Sequence, residues 1–246
     1  MKIHLYTILY NEEDLLPFFI NHYRTFVSKF FFYDNFSTDS SIEIIKNSGV
    51  DHEIRQYESN NKQDDLVFTK IKNNAWKDSK NQNVDYVIVC DLDEFLYHEN
   101  IHQFLDEKKK AGITIFKPEG YNMYSNVFPE FKPDLQLTER VKNGCKFEMM
   151  DKQVIFSPDD LDEIDYGMGC HYSDPKGNVK ATAYGGLKLL HYKGLSLEYL
   201  LFKVHRSKSR IPDANRKVGI GRHYFYEDQE VTKAFNEYLT KSKPVI

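Results

Sequence analysis

The sequence predicts an α/β domain in which helices cover a mostly parallel sheet. Three observations point there. The first half alternates strand-like with helix-like segments, the pattern of strands joined by crossover helices. Residues 86–90, Tyr-Val-Ile-Val-Cys, form a continuous apolar run of the kind that a strand buried on both faces requires. And 246 residues with only 12 Gly and 8 Pro make a chain that buries roughly 70–75% of its unfolded surface, so a full core needs no disulfide staples.

The strand candidates, in order, are residues 4–10, 30–33, 53–57, 86–90 and 113–116. Between the first two, a helix starting near Asn11 repeats Leu15, Leu16, Phe19, Tyr23 and Phe26 every three or four positions, with Pro17 confined to its first turn. A second helix follows the cap-rich cluster 37–41, carries Ile42, Ile44 and Ile45, and stops at Gly49, which suits a left-handed C-terminal cap. A third, 64–79, sets Val67, Ile71, Ala75 and Trp76 on one side. Beyond Lys117 the alternation gives way to a loop-rich stretch of Tyr, Asn, Pro and Gly, followed by β-like runs at 146–156 and 187–192, a basic helix at 196–210 and an amphipathic one at 232–241. No repeat or low-complexity linker divides the chain. The expected organisation is one domain, 1–246, with a functional division between 1–117 and 118–246.

Lys and Arg number 33 against 37 Asp and Glu, a formal charge of −4, so no overall positive field draws the chain to nucleic acid. Cys90, Cys145 and Cys170 form no CxxC pair, and an odd count fits a reducing compartment. The N-terminus runs into acidic residues where a signal peptide needs an apolar core. No apolar run approaches the roughly 20 residues of a membrane span. The expectation is a cytoplasmic protein with at most peripheral membrane contact.

The run 86–90 ends in Asp91-Leu92-Asp93-Glu94, which places carboxylates at the C-terminal edge of the sheet, where open α/β sheets bind ligands. If the chain stays extended, Asp91 and Asp93 point the same way, and two oxygen ligands on one side suit Mg²⁺ or Mn²⁺ together with water and substrate phosphate. Tyr10-Asn11-Glu12-Glu13 follows the first strand and Asp34-Asn35-Phe36-Ser37-Thr38-Asp39 the second. Each cluster alone reads as helix caps. Three around one crevice read as a site for a base, a ribose and a phosphate.

These clusters, together with Asp91-Leu92-Asp93-Glu94-Phe95, resemble the nucleotide-sugar-dependent glycosyltransferases of the GT-A (Rossmann-like) fold, nearest the family 2-like group with its DUF23 and family 92 relatives. The likeness continues through Gln63, Lys72-Asn73-Asn74-Ala75, the segment 152–158, Gly169-Cys170-His171-Tyr172, His191-Tyr192-Lys193-Gly194, Lys203 and Arg206. It implies a nucleotide pocket made by Tyr10, Asn11, Glu12, Asp34, Asn35, Gln63, Asn73 and Asp91, with Asp34 on a uracil-like base. It implies Mn²⁺ or Mg²⁺ held by Asp93, with Asp91 on ribose or metal-bound water and His191 completing the shell in preference to His171. Lys203, Arg206 and His171 are expected at the diphosphate or acceptor.

The implied reaction is inverting transfer from a UDP-linked sugar to a hydroxyl of a glycan or glycolipid. Residues 1–117 would form the nucleotide-sugar half and 118–246 the acceptor half. The base is expected among Asp151, Asp159, Asp174 and Glu119 of the second half.

On physical grounds Lys203, Arg206 and Arg210 share one face of the basic helix, beside an apolar stripe of Leu197, Leu200, Leu201 and Val204; that face either meets an anion or is simply solvated. Gly219 and Gly221 are too few for a phosphate-binding fingerprint and read as a loop; the resemblance implies that His223 and Tyr224 close over donor or acceptor. Two other readings stay open. One is a haloacid dehalogenase-like phosphatase with Asp91 as nucleophile, against which stands Phe95 where that family has Thr or Val. The other is a catalytically silent nucleotide- or carbohydrate-binding module, against which stands the intact Asp91 and Asp93 pair.

Overall fold

A computed structural model describes residues 1–212 and 225–246; Gly219, Gly221, His223 and Tyr224 lie outside them. The central strands β1 (Ile3–Leu9), β2 (Lys29–Asp34), β3 (His52–Gln56) and β4 (Tyr86–Val89) run parallel in the order β3-β2-β1-β4. Helices α1 (Leu16–Tyr23), α2 (Ser41–Asn47) and α3 (Asp65–Asn74) connect them. The α/β architecture read from the sequence is present.

Alternation along the strands builds both cores. Leu5, Leu9, Phe30, Phe32 and Ile88 face one layer, and Tyr6, Phe31, Val87 and Val89 the other. Tyr6 stacks on Phe31 with ring centroids 4.5 Å apart, and Phe30 on Phe32 at 5.9 Å. Each such ring contributes roughly 1.5–3 kcal/mol on burial.

Local chemistry sets most element ends. Asn11 adopts a left-handed φ of 49° and residues 12–15 form a turn, so α1 starts at Leu16 rather than near Asn11, with Pro17 in its first turn. α2 ends before Gly49, whose φ of 73° matches the expected cap. Asp64 caps α3 by accepting from the amides of Leu66 and Val67. The third predicted helix tightens at Ala75 into a 3-10 turn, Ala75–Ser79, which carries the buried Trp76 edge-on against Phe156.

The second half is more regular than its composition suggested. After β5 (Glu94–Tyr97) and α4 (Ile101–Lys110), β6 (Ile115–Tyr124) runs straight through Lys117. A short α5 (Leu137–Arg140) precedes β7 (Asn143–Lys146) and β8 (Ile155–Phe156), which antiparallel pairing adds to the sheet. The 146–156 run is therefore broken, by a 3-10 turn at Glu148–Met150. Gly120 requires that break to pass closely, because a Cβ there would meet the Met150 backbone at 2.3 Å.

β9 (Leu161–Glu163) and β10 (Lys176–Gly177) form a separate hairpin. β11 (Ala181–Gly194) then inserts between β5, antiparallel, and β6, parallel. α6 (Leu197–Arg210), capped by Ser196, crosses back to the first half. α7 (Asp228–Lys241) packs Val231 and Phe235 on Leu200 and Val204 of α6, and β12 (Lys243–Pro244) joins the sheet beside β7. Among the described residues no helix is long and apolar enough to cross a membrane, and the three cysteines are free.

Candidate functional site

The loops after β1 and β2 interlock. Asn11 accepts from the Thr38 amide at 2.7 Å and donates to Thr38 Oγ1, Glu13 accepts from Ser40 N, and Asp39 accepts from Glu13 N. Asp34, fully buried, accepts from Ser37 N at 3.0 Å. Much of this polar chemistry therefore caps turns. Beside it, Tyr10, Asn35, Phe36, Thr38, Glu58 and Asn61 line an open cavity of about 340 Å³. The Arg210 guanidinium lies 3.2 Å from the centre of the Tyr10 ring and donates to Asn35 Oδ1. The Gln63 amide donates to the Arg210 carbonyl, tying the 59–63 loop to the end of α6.

β4 ends at Val89, and residues 91–94 turn instead of extending: Glu94 N donates to Asp91 O at 3.0 Å. Alternation does not apply in a turn, so Asp91 and Asp93 take different partners rather than sharing one side. Asp91 Oδ1 receives the buried Lys72 ammonium at 2.6 Å, with Lys152 3.8 Å from Oδ2. Burial opposes ionisation of Asp91, yet Lys72, then Lys152, outweigh it and hold its carboxyl below the usual range. Lys152 pairs with Glu94 at 2.6 Å, the two side chains only 4% and 2% exposed.

Asp93 belongs to a second group. Lys203 Nζ is 2.9 Å from Asp93 Oδ2, and His191 Nε2 is 3.4 Å from the same oxygen. Burial alone would raise the Asp93 carboxyl; Lys203 and His191 together hold it well below the ordinary range. The register explains why His191 arrives there. On β11 it pairs opposite Glu94 on one side and Asn122 of β6 on the other. Its Nδ1 lies 2.8 Å from Asn122 Oδ1, an acceptor, so Nδ1 carries a proton, and Nε2 faces Asp93.

Glu12 closes the group. It accepts from Arg206 Nη2, and its Oε1 is 3.7 Å from Lys203, while Arg206 also donates to the Asn11 carbonyl. The basic face of α6 is therefore not a solvated surface: Lys203, Arg206 and Arg210 are turned inward across the sheet edge.

Asp93 Oδ2 and His191 Nε2, 3.4 Å apart, could together hold a divalent ion that keeps waters and phosphate oxygens in its shell, the imidazole then being neutral at Nε2. Among the described residues no three His, Cys, Asp or Glu side chains converge as a complete metal cluster. Among the described residues, two buried tyrosine hydroxyls in this region find no hydrogen-bond partner. Tyr57 Oη lies in the field of Arg210, Asp34, Lys72 and Asp91, and Tyr199 Oη in that of Lys203, Glu12, Asp93 and Arg206.

Other expected site residues lie elsewhere. Asn73 spends both ends of its amide on the backbone of Tyr166, at 2.7 and 3.1 Å. His171 bonds the Met149 carbonyl at 2.7 Å, toward the Lys152 side rather than Asp93, and burial lowers its pKa. Asp151 accepts from Gly120 N, Lys146 and the Tyr184 hydroxyl, and Glu119 from Tyr121. Asp159 accepts from Asn81 N in the loop before β4, at the sheet edge opposite the site. Asp174 is exposed and paired with Lys176, just before β10 of the separate hairpin.

Sequence reasoning gave no role to Lys72, Lys152, Asn122 or Tyr57. The signal for the two lysines was their position: Lys72 follows Ile71 on the inward stripe of α3, and Lys152 opens the buried segment Val154-Ile155-Phe156. A lysine in such company must find a carboxylate.

No family model and no curated protein matches this chain, so the expected DUF23 and family 92 subgroup is not identified. Among solved structures the chain is similar to S. aureus TarS at 13% identity and a TM-score of 0.46, covering 97% of this chain and 43% of that one. It is also similar to residues 1–349 of TarS in complex with UDP-GlcNAc (12% identity, TM-score 0.47, 97% and 72% covered) and in complex with UDP (13%, 0.45, 97% and 71%). The chain spans less than half of the full TarS chain in the first of these.

Proposed function

We propose that the chain is a metal-dependent glycosyltransferase of the GT-A kind, moving a sugar from a UDP-linked donor to an acceptor hydroxyl of a glycan or glycolipid. The observation that carries this reading is α6. Its inward basic residues join the Tyr10 cavity, through Arg210, to the Asp93–His191 pair, through Lys203. Seven residues of helix span about 10 Å, comparable with a nucleoside diphosphate laid along it.

In this reading the base enters the cavity between Tyr10 and Asn61, beside the Arg210 guanidinium. The ribose lies toward Asp91 and the Tyr57 hydroxyl, and the diphosphate reaches Asp93. Lys72, Lys152, Lys203 and Arg206 are each already paired with a carboxylate, so a dianionic diphosphate needs further positive charge. A divalent cation held by Asp93 and His191 would supply it and act as a Lewis acid on the leaving diphosphate. Asn122 holds the imidazole in the tautomer that this requires. Arg206, fixed by Glu12 and the Asn11 carbonyl, stands beside the same group and orients the donor.

The test is UDP release from a panel of UDP-sugars with and without Mn²⁺, together with thermal stabilisation by UDP. Slow donor hydrolysis that needs Mn²⁺, and a UDP-induced rise in melting temperature that Asp93→Asn removes, are expected. Phosphate release from simple phosphomonoesters with none from UDP-sugars would instead establish the phosphatase alternative. Metal-independent stabilisation by UDP would remove Asp93 from the metal.

A further inference from the structure

We infer that Lys203 is a built-in counter-cation which occupies Asp93 until a divalent ion takes its place, so that ammonium and metal compete for one carboxylate oxygen. The inference rests on the reading of Asp93 as the metal ligand and adds a residue that sets how tightly, and with what, the metal binds.

Three features of the site carry it. First, the ammonium lies 2.9 Å from Asp93 Oδ2, the same oxygen that faces His191 Nε2. A cation arriving between Asp93 and His191 meets that charge at close range, where little water screens it. Second, Lys203 has somewhere to go. Glu12 Oε1 is only 3.7 Å from Nζ, and the Tyr199 ring lies 5.6 Å away. A lysine stem has the rotatable bonds to swing between two carboxylates while its helix stays still. Third, the helix is anchored at both ends, by the Ser196 cap and by Arg210 on Asn35 and the Tyr10 ring, so movement falls to the side chain.

The consequence is linkage. Metal alone must break the Lys203–Asp93 pair, whereas metal arriving with a diphosphate frees the ammonium to meet a phosphate oxygen. Each ligand then strengthens the other by the same factor. The pair also keeps Asp93 and His191 from facing one another without a cation when the site is empty. Lys203 is thus a positioning residue for the metal, acting through Asp93.

The experiment uses the full chain and Mn²⁺ alone, with free Mn²⁺ read by electron paramagnetic resonance. Lys203→Met is expected to bind Mn²⁺ at least tenfold more tightly than wild type without nucleotide. Lys203→Arg, which keeps the charge, is expected to stay within about threefold of wild type. UDP should tighten Mn²⁺ binding strongly in wild type and much less in Lys203→Met. Circular dichroism establishes that each variant is folded. Should Lys203→Met fail to fold, Glu12→Gln takes its place: it removes the second resting point of the ammonium and is expected to weaken Mn²⁺ binding several-fold. Unchanged or weaker binding in folded Lys203→Met, or unchanged binding in Glu12→Gln, overturns the inference. Because nucleotide-free Mn²⁺ is measured, tighter binding by Lys203→Met stands even if no UDP-sugar is turned over, and donor turnover stands even if Lys203 proves indifferent to metal.

Discussion

Two carboxylates two residues apart, Asp91 and Asp93, sit in different regions of one site and are held in different ways. The Asp91 side is closed by its partners, which are nearly inaccessible: Lys72 pairs with Asp91, whose own carboxylate is 38% exposed, and Lys152 pairs with Glu94, which also accepts from the Asp91 amide. The Asp93 side is open to exchange: its partners His191 and Lys203 come from β11 and α6, and Lys203 has a second carboxylate within reach. The contrast shows how one acidic turn divides its labour. Asp91 is tied to buried partners, and Asp93 shares a lysine with a second carboxylate.

The largest effect is expected on the closed side. Lys152→Met leaves Glu94 charged and unpaired in the core and should cost about 3–5 kcal/mol in urea unfolding, most of it recovered in Lys152→Met/Glu94→Gln. A loss below about 1 kcal/mol would break the comparison, because the Asp91 side would then not be a structural lock.

On the open side, Asp93→Asn should lower UDP-sugar turnover by about a hundredfold or more, at or beyond the upper end of the losses seen when a metal's outer-shell partner is removed. It should cost less stability than Lys152→Met, since Lys203 retains Glu12. Equal stability losses from the two substitutions would erase the distinction.

Acid tests the strand that the two sides share. His22 of α1 lies buried with Nε2 2.9 Å from the Leu96 carbonyl, and its neighbour Tyr23 donates to the Glu94 carbonyl and accepts from Leu96 N. Burial holds the pKa of His22 at about 4. The unfolded chain, with its histidines near 6.5, therefore binds protons that the folded one refuses. The stability present above pH 6.5 is lost as pH falls toward 4. Between pH 7 and pH 5 His22 should account for about 2 kcal/mol of destabilisation. His22→Leu should flatten that slope in chemical denaturation series; an unaltered slope would place the proton uptake elsewhere, with His4, also held at about 4, the first alternative.

The smallest effect sharpens the open side. Asn122→Ala frees the His191 ring and should weaken Mn²⁺ binding in the presence of UDP by about tenfold, read by titration calorimetry. An unchanged affinity would mean that His191 needs no partner to present Nε2.

The strands of the first half were legible because their signal is local. Uninterrupted apolar runs such as 86–89, a left-handed glycine at position 49 and a capping Asp64 each act within a few residues. β6 and β11 were partly hidden, since their polar Tyr, Asn and Lys lie where a strand borders a site and need not alternate. The extended geometry expected for Asp91 and Asp93 failed for a local reason too: the Glu94–Asp91 backbone bond turns the chain.

The sequence by itself determined the α/β class, the three polar clusters at strand ends and the basic face of α6, because hydrophobic period and turn chemistry are properties of neighbouring residues. Which charge meets which was decided only by the tertiary structure. Lys203 lies 110 residues from Asp93, and Asn122 lies 69 from His191. Nothing in local propensity links them. The insertion of β11 between β5 and β6 sets His191 beside Asn122 and opposite Glu94, and the return of α6 across the sheet edge turns a face that solvent could have taken inward onto the carboxylates of the strand ends.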